Sequence, residues 1–388
     1  MVRLSANIVT SFTKLPQLGV VIVGGGGGPV SRVTRQVEFL YVSDVLGLTL
    51  VVAALLQTTG RGAPLDIATP GRLVWRSKDA FLSVSHLLER PDGTVLVAEF
   101  GEPAVKLLSS RGLTLRTIGR KGAGPGEYQR PIRLSSWSNG RTLVADRGLR
   151  RLLVLDSTLA ATGVLTFPPS LSGGVDYVRG SDPEGRILLQ NQAWAPDPRA
   201  MTKGVYVVRW HPGSNRVDTV SALLPPAYRT SRSGMDRRVV PFAPQDEWAA
   251  GSDGAIAIVR IIDQKLEWHI PGRPVIVGPR LPGPLVSVTD QDKKDNEPNG
   301  PPFRLEYPAT KPPFVAEGVL VGSGPEAWIE LERPRDAART YLIVNRTGTP
   351  IRTVSIGPRR WVAAIGCSLL YVVWTDDNDE GWVEAYRR

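Results

Sequence analysis

Three histidines, His86, His211 and His269, are the imidazoles of this chain, separated by 125 and 58 residues. A catalytic zinc needs ligands on one side of the ion, and chains that bind one usually carry close pairs such as H-E-x-x-H. No such pair occurs, so a metal centre would require three distant segments to converge on one axis. His86 heads an apolar run that reads as an inner strand, whereas His211, in Trp-His-Pro-Gly, reads as an outer hairpin, and convergence is not expected. Asp376 to Gly381 begins like a calcium loop, with Asp376, Asn378 and Glu380 alternating and a glycine sixth. The twelfth position, which should supply a bidentate acid, is Arg387, so a hairpin with solvated acids is the expectation. Asp290, Asp292 and Asp295 are read in the same way.

Nucleophiles are equally sparse. No Gly-x-Ser-x-Gly elbow occurs, and Ser323, between two glycines, has no histidine near it in sequence. Cys367 is the single cysteine, which excludes an internal disulfide and a cysteine zinc cluster. Its apolar setting, AAIGCSLL, predicts a buried, inert thiol. No catalytic residue, metal ligand or cofactor site is therefore expected.

Lys+Arg 47 against Asp+Glu 37 leaves a formal charge of +10. The excess is mostly arginine in pairs diluted by apolar and acidic neighbours, unlike the long basic blocks of nucleic-acid arms, so no nucleic-acid partner is expected. Gly 40 and Pro 33 make up nearly a fifth of 388 residues, against roughly 12% in average chains. That density of turn formers argues for many short strands.

Residues 1–63 read as a leader. Val45 to Leu56 is twelve uncharged residues, with Arg32 and Arg35 upstream and a small polar stretch, Gln57 to Ala63, after it. This is the layout of an export signal. Extending it to 39–56 gives eighteen residues interrupted by Asp44, long enough for an uncleaved tether to an inner membrane. The forty residues ahead of the signal suggest that translation begins near Val30 to Val42. Gly24-x-Gly26 in that region fails as a dinucleotide loop, because Pro29 takes the third glycine position and no βαβ unit follows.

From residue 64 to 388 the pattern changes to apolar runs between turns. Asp92-Gly93 precedes TVLVAE and Asn139-Gly140 precedes RTLVAD, each a tight turn before a strand that ends in an acid. A basic residue then opens another run, at Lys106 and at Arg151. Looser copies follow Gly185, Gly254, Gly324 and Gly366, at separations of 47, 45, 69, 70 and 42 residues. Such a period suits four-stranded propeller blades with two long insertions. One insertion runs from Leu224 to Pro244, and the other, Thr289 to Pro302, reads as a mobile polar loop. The last unit offers three strands, and Arg72 to Arg76 supplies the missing fourth, closing the ring. Tryptophans 75, 137, 210, 248, 268, 328, 361, 374 and 382 are spread over the units as wedges between blades.

The segment GRKGAGPGEYQRP, residues 119–131, ends the first unit. It resembles the G-x-x-G-x-G-P-G-E-[FY]-x-x-P segment of bacterial six-bladed β-propellers related to NHL-repeat propellers, with clear coverage from Leu87 to Leu155. The glycines suit a tight crossover between blades, and a phosphate cradle is rejected because no Gly-Lys-Ser/Thr or helix follows. In similar repeats the acid ending the second strand pairs with a basic residue on the third, here Asp146 with Arg150 or Arg151, and Glu99 with Lys106. The resemblance implies an exported, all-β, six-bladed propeller, most of whose relatives lack a defined activity.

The function expected is a non-catalytic, monomeric binding module for a protein, peptide or carbohydrate, with Arg133 and His86 as polar groups facing the channel. A metal-dependent, lactonase-like hydrolase or lyase acting in that channel is the rival.

Overall fold

The structure, a computed structural model, describes residues 67–171, 174–191, 204–230, 237–296 and 306–388. The leader, its signal or tether at 39–56 and the glycine run at 24–28 lie outside them. Among the described residues no helix is long and apolar enough to cross a membrane.

The chain is a six-bladed β-propeller. The inner strands, in chain order, are Val84–Glu89, Pro131–Trp137, Val178–Ser181, Glu247–Ala250, Phe314–Val321 and Arg360–Ile365. Each begins a sheet of antiparallel neighbours running outward. In the sixth sheet the outermost strand is Leu73–Arg76, which pairs Leu73 with Tyr386 and Arg76 with Glu384. Just before it, Ile67–Ala68 adds a parallel fifth strand to the outer edge of the fifth sheet, opposite Thr353 and Val354. The same short stretch of chain thus grips the two last blades.

The second strands are mostly apolar because both of their faces are covered by neighbouring sheets. The core is accordingly divided into six clusters, each joining two adjacent blades. The junction of last and first blades holds Trp75, Leu87, Val97 and Tyr371, with the Trp75 and Tyr371 rings 6.0 Å apart. Trp210, Trp268 and Trp328 are fully buried. Trp137 donates its indole N–H to Gly185 O in the next blade, and Trp268 donates to Asn345 O. Arginines cover several of these rings: Arg141 lies 3.9 Å above Trp137, Arg346 4.1 Å above Trp268 and Arg76 4.3 Å above Trp374. Part of the arginine excess is thus spent sealing indole faces.

The hairpin between third and outer strand repeats in the first five blades, with a left-handed residue at Gly112, Leu159, Asn215, Gly272 and Gly348, and in blade six a similar turn with Asp379 joins the second and third strands. Its first residue usually accepts two following amides. Asp156 Oδ1 takes Thr158 N and Ala160 N, and Asn345 Oδ1 takes Thr347 N and Thr349 N. Asp376 does the same for Asn378 N and Glu380 N, while Arg359 pairs with Asp377 and Asp379. The calcium-like run is therefore one instance of a structural turn.

Two expectations need correction here. The stretch read as a wholly mobile loop contains a helix, Asp290–Asp295, whose capping box joins Thr289 and Asp292. The basic partner proposed for Asp146 is replaced by backbone: its carboxylate accepts from Gln129 N, Arg130 N and Leu149 N, fixing the chain as it enters the second inner strand. Arg151 turns instead to the carbonyls of Gly124 and Glu127 at 3.0 Å, clamping the glycine-rich crossover. Glu99 and Lys106 do pair, at 2.7 Å.

Candidate functional site

Six inner strands standing side by side around an axis leave a space that only their inward side chains can fill. In the first five blades one polar residue near the start of each inner strand occupies this ring: His86, Arg133, Arg179, Glu247 and Glu317. Members of the ring approach closely, both between neighbouring blades and across one. Arg133 Nη1 lies 3.5 Å from His86 Nε2, and Arg179 Nη2 lies 3.6 Å from Glu317 Oε1. Glu317 N donates to Glu247 Oε2 at 2.8 Å. The left-handed backbone at Glu317 (φ 58°) sits within the register shift of its strand against the second. The sixth blade contributes small apolar residues, Ala363 and Ala364, to the channel wall.

The ring is electrically divided. His86, Arg133 and Arg179 form a basic arc and Glu247 and Glu317 an acidic one. Leu134 N donates to His86 Nδ1 at 3.3 Å, so the neutral ring carries its proton on Nε2. Burial and then the charges of Arg133 and Arg179 hold the imidazole well below its ordinary pKa. Two donors, His86 Nε2–H and the Arg133 guanidinium, therefore face one another with no acceptor between them. Burial and then Arg179 push the Arg133 pKa down to about 9, with Glu317 opposing. Arg133 makes no ion pair among the described residues. Arg179, whose side chain is 9% exposed, has its loose contact with Glu317 and a buried Nε without a partner. Glu247 is pushed up to about 7 by burial, against hydrogen bonds from Gln245 and from Glu317 N and the charge of Arg179.

A cavity of about 530 Å³ opens along the axis, reaching the three basic residues at one end and the turns between inner and second strands at the other. Glu247 and Glu317 do not line it. Its upper wall is built of small and apolar residues such as Ala249, Val321, Ala363 and Ile365. Two acids near the rim are already engaged. Glu89 accepts from Tyr371 Oη and Cys367 N, both at 2.7 Å, and Asp182 pairs with Arg186.

Of the sequence candidates, both Arg133 and His86 stand in the channel side by side. His211 and His269 lie on third strands, where they contact Asp218 at 2.7 Å and Glu267 at 3.4 Å. Among the described residues no three His, Cys, Asp or Glu side chains are grouped as metal ligands. Cys367 corrects its expectation: it is exposed, because the inner strand ends at Ile365 and the cysteine falls in the turn at the cavity rim. Arg179, Glu247 and Glu317 were not singled out from the sequence. A signal for them existed: His86, Arg133, Glu247 and Glu317 each lie seven residues before a turn glycine, and Arg179 six.

No family model matches the chain. No curated protein matches it either. Among solved structures, a Bacteroides fragilis protein inferred to be exported is 12% identical, over 84% of this chain and 95% of that one, with a TM-score of 0.47. A DUF4221 member from Bacteroides vulgatus is 9% identical over 83% and 96%, also at 0.47. Regucalcin from Agrobacterium tumefaciens, a calcium-binding protein, is 13% identical over 84% and 98%, at 0.43. At these values nothing about ligand or activity passes to this chain.

Proposed function

We propose that this protein is an exported or membrane-tethered, non-catalytic binding module whose ligand enters the central channel. The observation that carries this is the 530 Å³ cavity bounded by inner strands of all six blades and floored by charged side chains. Pockets of that size suit a small molecule or the tip of a larger one, such as a peptide or carbohydrate end. The signal-like segment at 45–56 of the leader is the support for export, and the closed set of six blade junctions suits a monomer.

The rival, a metal-dependent hydrolase or lyase of lactonase type, draws on Glu247, whose pKa near 7 is that of a proton donor or acceptor at neutral pH. Against it, the charged groups at the cavity floor are Arg133 and Arg179, which repel a cation. Metal analysis of the purified protein followed by a lactone and ester hydrolysis screen tests the choice. The expected result is no stoichiometric metal and no turnover above a Glu247→Gln variant. Bound metal at one per chain, or turnover abolished by that variant, would overturn the binding reading. Amino-terminal sequencing of protein recovered outside the cytosol tests export, and a start beyond Leu56 is expected for a cleaved signal.

A further inference from the structure

Some buried guanidinium groups in this protein are matched by carboxylates. Arg260 meets Asp246 and Glu267 at 2.8 and 2.7 Å, and Arg360 meets Glu384 at 2.9 Å. Others leave one nitrogen unsatisfied, as Arg151, Arg209, Arg346 and Arg352 do away from the channel, but at the channel floor such groups line an open cavity. Arg133 faces only a neutral imidazole that presents its own N–H, and Arg179 leaves Nε unsatisfied. Burying a charge without a partner is costly, and a protein that carries such a group at the end of an open cavity keeps it for something that arrives from outside.

Resting on the reading of the channel as a binding site, we propose that its floor takes the oxyanion head of a small organic anion whose apolar body lies against the alanine and valine wall. Three features select that chemistry. The donors converge from three blades, so oxygens of one head group can accept from His86 Nε2–H, Arg133 and Arg179 together. The carboxylates that would repel it, Glu247 and Glu317, lie off the cavity, and Glu89 and Asp182 are already engaged. Above the floor the wall offers Ala249, Val321, Ala363 and Ile365, which favour an apolar body over a second charge.

The test uses the whole protein and three ligands of one shape, benzoate, benzamide and benzylammonium, titrated by calorimetry or ligand-observed NMR. Benzoate is expected to bind at least tenfold more tightly than benzamide, and benzylammonium more weakly still. Arg133→Met and Arg179→Met are each expected to lose that tenfold preference with benzamide affinity unchanged, and Arg133→Lys to keep part of it. Since removing an unpaired buried charge does not endanger folding, thermal melts of the Met variants provide the control for intact structure.

Equal binding of benzoate and benzamide would overturn the anion assignment while leaving the channel a binding site. Retention of the benzoate preference in both Met variants, or binding of none of the three at 10-fold excess over about 1 mM, would overturn the assignment outright. Failure of the binding-module reading itself would look different, as metal or turnover in the preceding experiment.

Discussion

The clasp in blade six and the floor of the channel both gather arginines in a partly buried setting, and they treat them in opposite ways. In the clasp, fully buried Glu384 receives Arg76 and Arg360 and accepts from Tyr386 Oη, and both guanidiniums cover Trp374. Every charge there has its counterpart, and the pairing ties the outermost strand to the rest of its blade. At the floor, Arg179 has one loose contact with a carboxylate, that of Glu317 at 3.6 Å on a solvated side chain, and Arg133 has none among the described residues. Charge is compensated where the ring must stay shut and left uncompensated where a cavity opens onto it, the pattern expected when function is kept at some loss of stability.

That contrast can be broken most easily at the clasp. Glu384→Ala strands two arginines and is expected to lower stability by about 3 to 4 kcal/mol, toward the low end of the range for broken buried pairs because Arg76 is half-exposed. Urea unfolding reads it, and an unchanged midpoint would show that the clasp contributes nothing to closure.

Glu247 sharpens the other side. Its folded pKa near 7 lies above the ordinary 4.5, so the native state holds a proton that the unfolded chain has released between those values. Stability should therefore fall as pH rises from about 4.5 through 7, by up to about 3 kcal/mol. Glu247→Gln is expected to flatten that slope, measured as the difference in urea midpoint between variant and parent from pH 5 to 8. Parallel curves would mean that the carboxyl is ionised throughout.

Arg133→Met should move stability upward, by about 1 kcal/mol, since it removes a half-buried charge that makes no ion pair among the described residues. Differential scanning calorimetry would show a higher Tm, and a lower one would place Arg133 among the compensated arginines. The smallest effect belongs to Asp376→Ala, which removes the side-chain cap of one exposed hairpin. A fall of no more than about 2 °C is expected, with calcium leaving the Tm of the parent unmoved.

The repeat itself was legible because turn chemistry is local. Gly93, Gly140, Gly185 and Gly254 adopt left-handed backbone between inner and second strands, and that requirement marks the sequence wherever the hairpin recurs. The equivalent hairpins further out were harder to see, since Leu159 and Asn215 do the same task without glycine. Cys367 was misplaced for a related reason: an apolar run continuous in sequence is interrupted by a turn at Gly366.

His86 and Arg133 could be picked out because each stands near the start of a strand that a recognisable repeat identifies. Residues seven before each turn marker had the same claim, yet in blade six that position is Arg359, which pairs with acids in the hairpin between second and third strands. One residue of register decides whether a side chain meets the axis or the neighbouring sheet.

Sequence alone determined the blade period, the positions of its tight turns and the all-β character, because each depends on residues within a few positions of one another. Which charges would meet, and which would be left without a counterpart, depended on segments as far apart as His86 and Glu317. Only the closing of the ring brought those to one level of the axis. An unpaired guanidinium is a property of everything that surrounds it, and no local pattern carries that information.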